Sequence, residues 1–190
     1  MHYIKIGYAF CGSFCTIARS LKALEELKAE YGNITPIMSQ IVYSTDTRFF
    51  KADALKEKVM DICGEDIIHT IDGAEPIGPK NLLDIMVVSP CTGNTLAKIA
   101  LGITDTPVTM AVKAHLRNNK PVVLGIATND AIGASAKNIG MLHNMINIYF
   151  VPYGQDDPGS KNNSLVCDFD KVKDTVKSAL EGKQIEPLLI

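Results

Sequence analysis

The sequence predicts an α/β fold, a doubly wound parallel sheet with helices on both faces that makes three layers in all. Two observations carry this expectation. Short runs of strand length alternate with helical patterns from one end of the 190 residues to the other. The strand runs are rich in Ile and Val and nearly continuous rather than alternating, as in strands covered on both faces. No repeat, low-complexity tract or linker divides the chain, so one domain over residues 1–190 is expected.

The expected strands cover residues 3–9, 37–43, 67–70, 85–89, 121–127 and 146–151. Between the first two lies an amphipathic helix. Phe14, Ile17, Leu21, Leu24 and Leu27 recur at steps of three and four, Arg19, Lys22, Glu25, Glu26 and Lys28 take the opposite side, and Gly32 ends it. Further helices are expected over residues 47–63, 94–101, 107–118, 131–145 and, at the C-terminal end, 168–181. Residues 152–164, dense in Pro, Gly, Asp and Asn, read as a long loop after the last strand.

Composition narrows the function. The chain is 46% hydrophobic and 21% charged, with 19 basic and 21 acidic residues giving a net charge of −2, so no basic footprint for nucleic acid is visible. Five cysteines at irregular spacing, without a CxxC pair, fit neither a disulfide framework nor a zinc site. The N-terminus runs into an apolar strand pattern without a basic leader, and no apolar run approaches the ~18 residues of a membrane helix. A cytoplasmic protein is expected, with no metal, no nucleic acid and no membrane contact.

Ligands of such sheets bind beyond the carboxyl ends of the strands, where the strand order reverses, so the turns after the strands are the informative segments. The first turn places Gly12 and Ser13 where a new helix exposes unpaired N–H groups and its positive dipole end. A triphosphate loop would need Gly-Lys-Ser/Thr, but Phe14 follows Gly12-Ser13. A dinucleotide fingerprint would need glycine where Ala9 stands and an acid after the second strand, where Ser44 and Thr45 stand. A single phosphate fits the turn best, and a plain serine cap beside a packing glycine fits it equally well. The second turn, from Ser44 to Phe50, offers hydroxyls to a phosphate or ribose and also reads as a capping run. The third turn, Ser89-Pro90-Cys91-Thr92-Gly93-Asn94-Thr95, follows a buried strand. It offers the hydroxyl and amide groups of Thr92, Asn94 and Thr95 to a flat, polar-edged ligand.

This third turn resembles the Pro-Ala-Ser/Thr-Ala-Asn-Thr stretch of the FMN-binding flavoprotein family that includes phosphopantothenoylcysteine decarboxylase and the lantibiotic cysteine decarboxylases. Ala97-Lys98-Ile99-Ala100, Gly102 and Asp105 resemble the continuation of that stretch, and the similarity covers roughly residues 3 to 150. The resemblance implies a Rossmann-like flavoprotein fold, FMN as cofactor, and an oligomer that packs FMN between its protomers. It implies cofactor contacts from Gly12, Ser13, Ser44, Ser89, Thr92, Asn94, Thr95 and Asn129. Gly12, Ser13 and Ser44 would hold the phosphate. Thr92, Asn94 and Thr95 would lie near the ribityl chain and ring.

Within the family the short frame, the variant third turn and the stretch from Tyr149 to Pro158 resemble a branch found in sporulating bacteria. That likeness implies a dehydrogenase-like partner protein, action in the mother cell, and oxidation of a dihydropyridine dicarboxylate to the aromatic dicarboxylate. A non-catalytic protein that stabilises its partner without flavin, and an FMN-dependent cysteine decarboxylase, are the alternatives. The family's decarboxylases carry a histidine shortly before the strand that ends at the third turn, where this chain reads Glu75-Pro76-Ile77-Gly78-Pro79-Lys80, with His69 too early to align. They also carry Pro-Ala-Met-Asn after the next strand, where Ile126-Ala127-Thr128-Asn129 stands and Asn129 alone is retained.

A dicarboxylate calls for guanidinium or ammonium partners. Arg48, Lys80 and Arg117 are the candidates, and spacing does not select among them. No general base is evident. His143 reads as a hydrogen-bonded packing residue, and His115 as an exposed one near Arg117 and Lys120. Asn138 resembles an asparagine of the family's late helix that faces the site.

Overall fold

The computed structural model describes residues 4–190, so the expected strand start at Tyr3 lies outside the described residues. Strand β1 (Lys5–Phe10) leads through a 3-10 turn (Phe14–Thr16) into helix α1 (Ile17–Tyr31). The helix ends at Gly32, whose φ of 73° lets its N–H return to the Lys28 carbonyl at 3.0 Å. Strand β2 (Asn33–Met38) follows at once, then the short helix α2 (Gln40–Ser44) and helix α3 (Ala52–Cys63). A single helical turn, α4 (Ile71–Ala74), and a 3-10 turn (Glu75–Ile77) lead to strand β3 (Ile85–Cys91), every residue of which is buried.

Helices α5 (Gly93–Ala100) and α6 (Pro107–Leu116) come next, each opened by a threonine whose side chain accepts a backbone N–H. In α6 the cap is a reciprocal box between Thr106 and Thr109, with Pro107 at the first helical position. Strand β4 (Val122–Thr128), helix α7 (Ala136–His143) and strand β5 (Ile148–Phe150) complete the parallel part. A hairpin of β6 (Tyr153–Gln155) and β7 (Leu165–Cys167), then a 3-10 turn (Phe169–Lys171) and helix α8 (Val172–Leu180), close the fold.

Strands β2, β1, β3, β4 and β5 pair in that order, all parallel, and β7 and β6 add antiparallel beside the carboxyl end of β4. The expected doubly wound sheet is therefore present. Helix α1 packs against α3 and α8, whereas α5 packs against α6 and α7, so the two groups cover opposite faces. A buried polar link ties the layers together. The Tyr8 hydroxyl lies 3.0 Å from the Ser20 carbonyl oxygen, and the Ser20 hydroxyl donates to the Ser89 carbonyl at 2.6 Å. Among the described residues no helix is long and apolar enough to cross a membrane, and no group of three or more ligating side chains could hold a metal ion.

Several boundaries differ from expectation. The second strand runs over Asn33–Met38 rather than residues 37–43, because Pro36 is tolerated on an edge strand and the chain turns into α2 straight after Ser39. Residues 67–70 make only one parallel bridge, Ile37 with Ile68, instead of a strand. The stretch 152–164 is not one loop: it begins with β6, and its remainder forms the tip of the β6–β7 hairpin. The helix expected over 131–145 is confined to Ala136–His143, and the one over 168–181 to Val172–Leu180.

His115, expected at the surface, is fully buried. Its Nε2–H donates to the Pro121 carbonyl at 3.1 Å, and Nδ1 has no partner. Burial pushes its pKa down from the ordinary 6.5 to about 4, with Lys120 nearby acting in the same direction and the Pro121 bond opposing. Between those two values the unfolded chain binds a proton that the native chain does not. Stability is therefore expected to fall as pH drops from 6.5 towards 4. Urea unfolding of wild type and His115→Gln across that window checks this. The variant should lose the part of the pH slope that one proton contributes, and an unchanged slope would remove His115 as its source.

Candidate functional site

Four turns at the carboxyl ends of β1, β2, β3 and β4 meet where the strand order reverses between β1 and β3. The first turn is fixed from three sides. The Cys11 N–H donates to the Pro90 carbonyl at 3.2 Å, the Thr95 hydroxyl donates to the Cys11 sulfur at 3.3 Å, and the Ser39 N–H donates to the Phe10 carbonyl at 3.1 Å. The Ser13 oxygen accepts from the Thr16 hydroxyl at 3.1 Å, and the N–H groups that open the helix lack intrahelical partners.

A cleft of ≈ 350 Å³ lies between these turns. Gly12, Ser13, Phe14 and Cys15 form one wall, and Arg48 and Phe49 another. Thr92 comes from the third turn, and Ala127, Thr128 and Asn129 from the end of β4. Of the expected contacts, the structure thus brings Gly12, Ser13, Thr92 and Asn129 together. Four others lie outside the lining. Ser44 ends α2, exposed, with its hydroxyl returned to the Gln40 carbonyl at 2.8 Å. Ser89 is fully buried in β3 and its hydroxyl has no partner. Asn94 is exposed on α5. Thr95 is buried and spends its hydroxyl on Thr92 and Cys11.

Sequence reasoning missed Ser39. It follows β2 directly, is 9% exposed, and carries a buried hydroxyl with no partner beside the first turn. Like Ser89 it lies outside the lining of the cleft, so the phosphate-like features of the lining itself are Ser13 and the N–H groups of the helix entry. Placing the second strand four residues too late hid Ser39. Phe14, Cys15, Phe49 and Thr128 were also not anticipated as lining residues, since nothing in their spacing marks them.

Among the described residues no carboxylate or imidazole lines the cleft. His69 stacks on Tyr43 with ring centroids 3.8 Å apart, and His143 lies 2.9 Å from the Tyr153 hydroxyl and stacks on Phe150. The segment Glu75–Ile77 packs against α6. Lys98 and Asp105 pair with each other at 2.8 Å. Of the five cysteines, Cys11, Cys63, Cys91 and Cys167 are buried and Cys15 is exposed. Burial pushes the Cys11 and Cys63 thiols up to about 11, and it raises Cys91 and Cys167 as well.

The fourth turn is held by a carboxylate. Asp130 Oδ1 accepts from the Thr128 hydroxyl and, at 3.0 Å, from the Ser135 hydroxyl. These three oxygens press on Gly93 at the start of α5. A methyl group built there would lie 2.6 Å from Asp130 Oδ1, 2.6 Å from Ser135 Oγ and 2.7 Å from Thr128 Oγ1. The alanine of the resembled stretch is thus replaced by Gly93 in the presence of Asp130, which fills the space of the missing methyl group.

Comparison with known proteins agrees with the fold. A family model described as Flavoprotein matches residues 1–181. The B subunit of dipicolinate synthase from Bacillus subtilis (strain 168) is 44% identical over 186 residues, which cover 98% of this chain and 93% of that protein. The crystal structure of the dipicolinate synthase B subunit from Bacillus halodurans superposes with a TM-score of 0.90 at 44% identity, covering 100% of this chain and 98% of that one. Burkholderia xenovorans DmrB, a cubic protein cage for redox transfer solved with FMN, shares the fold at a TM-score of 0.71 and 15% identity, covering 94% and 96%.

The contact at Gly93 predicts a coupling. Gly93→Ala should cost about 1–3 kcal/mol of stability by overpacking, and the same change in an Asp130→Ala background should cost clearly less. Urea unfolding of both single variants and the double variant closes the cycle. Strict additivity would show that the carboxylate does not oppose the methyl group.

Proposed function

The chain belongs to the Flavoprotein family, and on that premise we propose that it works as the B subunit of a dipicolinate synthase. It would bind FMN in the cleft between its turns and, together with the A subunit of that enzyme, convert dihydrodipicolinate by oxidation, or its hydrated precursor by loss of water and oxidation, to pyridine-2,6-dicarboxylate. The observation that carries this reading is the convergence of Gly12–Ser13, Thr92 and Thr128–Asn129 on one cleft at the switch point of the sheet.

The residues present suit the cofactor. Ser13 and the helix entry would take the phosphate, and Thr92 and Asn129 would offer hydroxyl and amide groups to the polar edge of the ring. Phe14 and Phe49 give the cleft apolar faces against which a flat ring stacks. Bound FMN supplies an acceptor for the hydride that leaves when a dihydropyridine becomes aromatic. The chain's own task is to hold the substrate ring against that acceptor and to keep water out.

The accompanying proton needs a base, and none of the lining side chains is a carboxylate or an imidazole. The A subunit is the source this reading assigns. Asn94 lies exposed outside the cleft of one chain, which suits a site completed by a second copy, as expected of a flavoprotein oligomer. Action in the mother cell of a sporulating bacterium follows from the same reading. The absence of a histidine from the cleft among the described residues leaves the decarboxylase alternative without support.

The test is co-production with the A subunit and an assay for dipicolinate with each protein alone and with both together. Product only with both, and a flavin absorbance band in the purified chain, is the expected result. A colourless chain that FMN cannot reconstitute would instead leave the non-catalytic scaffold.

Ser13→Asp separates cofactor binding from folding. Aspartate is a good residue at a helix entry, so the melting temperature should hold. A carboxylate there repels the phosphate, so FMN affinity measured by fluorescence quenching should fall roughly tenfold or more. Unchanged affinity would take the first turn out of the cofactor site.

A further inference from the structure

We propose that Arg48 is the anchor for a substrate carboxylate, and so the residue that selects a dicarboxylate for this cleft. The inference rests on the dihydrodipicolinate reading given above. Sequence spacing left Arg48, Lys80 and Arg117 equivalent, and the fold separates them. Among the described residues Arg48 is the one cation that lines the cleft. Arg117, just beyond α6, faces two separate surface grooves instead, and Lys80 lines neither these grooves nor the cleft.

Arg48 is exposed at the wall of the cleft, and three features set it apart from a free surface charge. The loop that carries it is pinned: the Thr47 hydroxyl accepts the N–H groups of Phe49 and Phe50, each at 3.2 Å, and the Thr47 N–H donates to the Phe50 carbonyl at 2.9 Å. Asp46, the nearest acid in the chain, is already engaged by the Ala52 N–H and by Lys51, both at 2.9 Å. The Arg48 guanidinium lies 4.8 Å from the centroid of the Phe49 ring, so one face is held by the aromatic and the donor edge stays available.

Among the described residues Arg48 has no carboxylate partner, and no acid lines the cleft to neutralise it. A guanidinium left unpaired at the wall of a cleft with two aromatic rings fits a planar ring bearing a carboxylate, which takes a paired N–H fork better than an ammonium. The rest of the lining is uncharged, so no other side chain of the cleft competes for the carboxylate.

The experiment is calorimetric titration of the full chain, reconstituted with FMN, with pyridine-2,6-dicarboxylate and with the neutral pyridine-2,6-dicarboxamide. Wild type, Arg48→Ala and Arg48→Lys are compared, with FMN affinity measured on each. Arg48→Ala should bind the dicarboxylate about 10- to 100-fold more weakly, as expected for a charge-assisted hydrogen bond. Arg48→Lys should recover part of that loss. Dicarboxamide binding and FMN affinity should stay within about twofold of wild type. Dicarboxylate binding that Arg48→Ala leaves intact overturns the assignment while the functional reading stands. A parallel loss of FMN also overturns it, placing the guanidinium on the cofactor phosphate. Wild type that retains FMN yet binds no pyridine dicarboxylate removes the functional reading itself, and the anchor with it.

Discussion

The reversal of strand order between β1 and β3 is the constraint from which the rest of this structure follows. A right-handed crossover leaving β1 for β2 and another leaving β3 for β4 must pass on opposite faces, and the turns that begin them splay apart. What keeps the splayed turns in register is a small set of buried polar bonds. Cys11 to Pro90, Thr95 to Cys11 and Ser20 to Ser89 each join the β1 side to the β3 side. Such bonds contribute only about 0.5–1.5 kcal/mol net each, but a buried group that loses its partner costs more than that. The turns on either side of the crevice are therefore tied to each other and not only to their own strands.

On the other wall the chain solves a crowding problem in its own way. The end of β4 is tied to α7 through Thr128, Asp130 and Ser135, and this places a carboxylate against the first turn of α5. An acid near a helix start is electrostatically favourable, and glycine at position 93 gives it room. The arrangement fixes Thr128 and Asn129 at the cleft with Asp130 itself outside the lining. The cleft keeps one positive wall from Arg48, with no carboxylate among its described lining residues.

Much of the fold was legible in the sequence because a parallel sheet writes continuous apolar runs, and β1, β3 and β4 appear within a few residues of where those runs lie. The second strand was not, for two physical reasons. Pro36 argues against a strand unless the strand is known to be an edge, and the apolar run Ile41-Val42-Tyr43 belongs to a helix too short to show its period. That single error placed Ser44, the last residue of that helix, where the turn after the strand was expected. The third turn was legible as a motif, yet its side chains divide: Thr92 faces the cleft, Thr95 turns inward to Cys11, and Asn94 faces outward. Such a division depends on where a helix begins, and a motif does not record it. Arg48 was legible as a charge and not as a position, since its place at the wall comes from the Thr47 turn folding back on itself.

The distribution of thiols has a practical side. Four of the five are shut inside the layers, where burial keeps them protonated, and Cys15 alone meets solvent, at the mouth of the cleft. Reactivity follows the accessible thiolate, so a maleimide dye would attach at one place, and that place borders the pocket. The protein carries its own labelling handle, through which the filling and emptying of the cleft can be watched as a change in fluorescence, without an engineered cysteine.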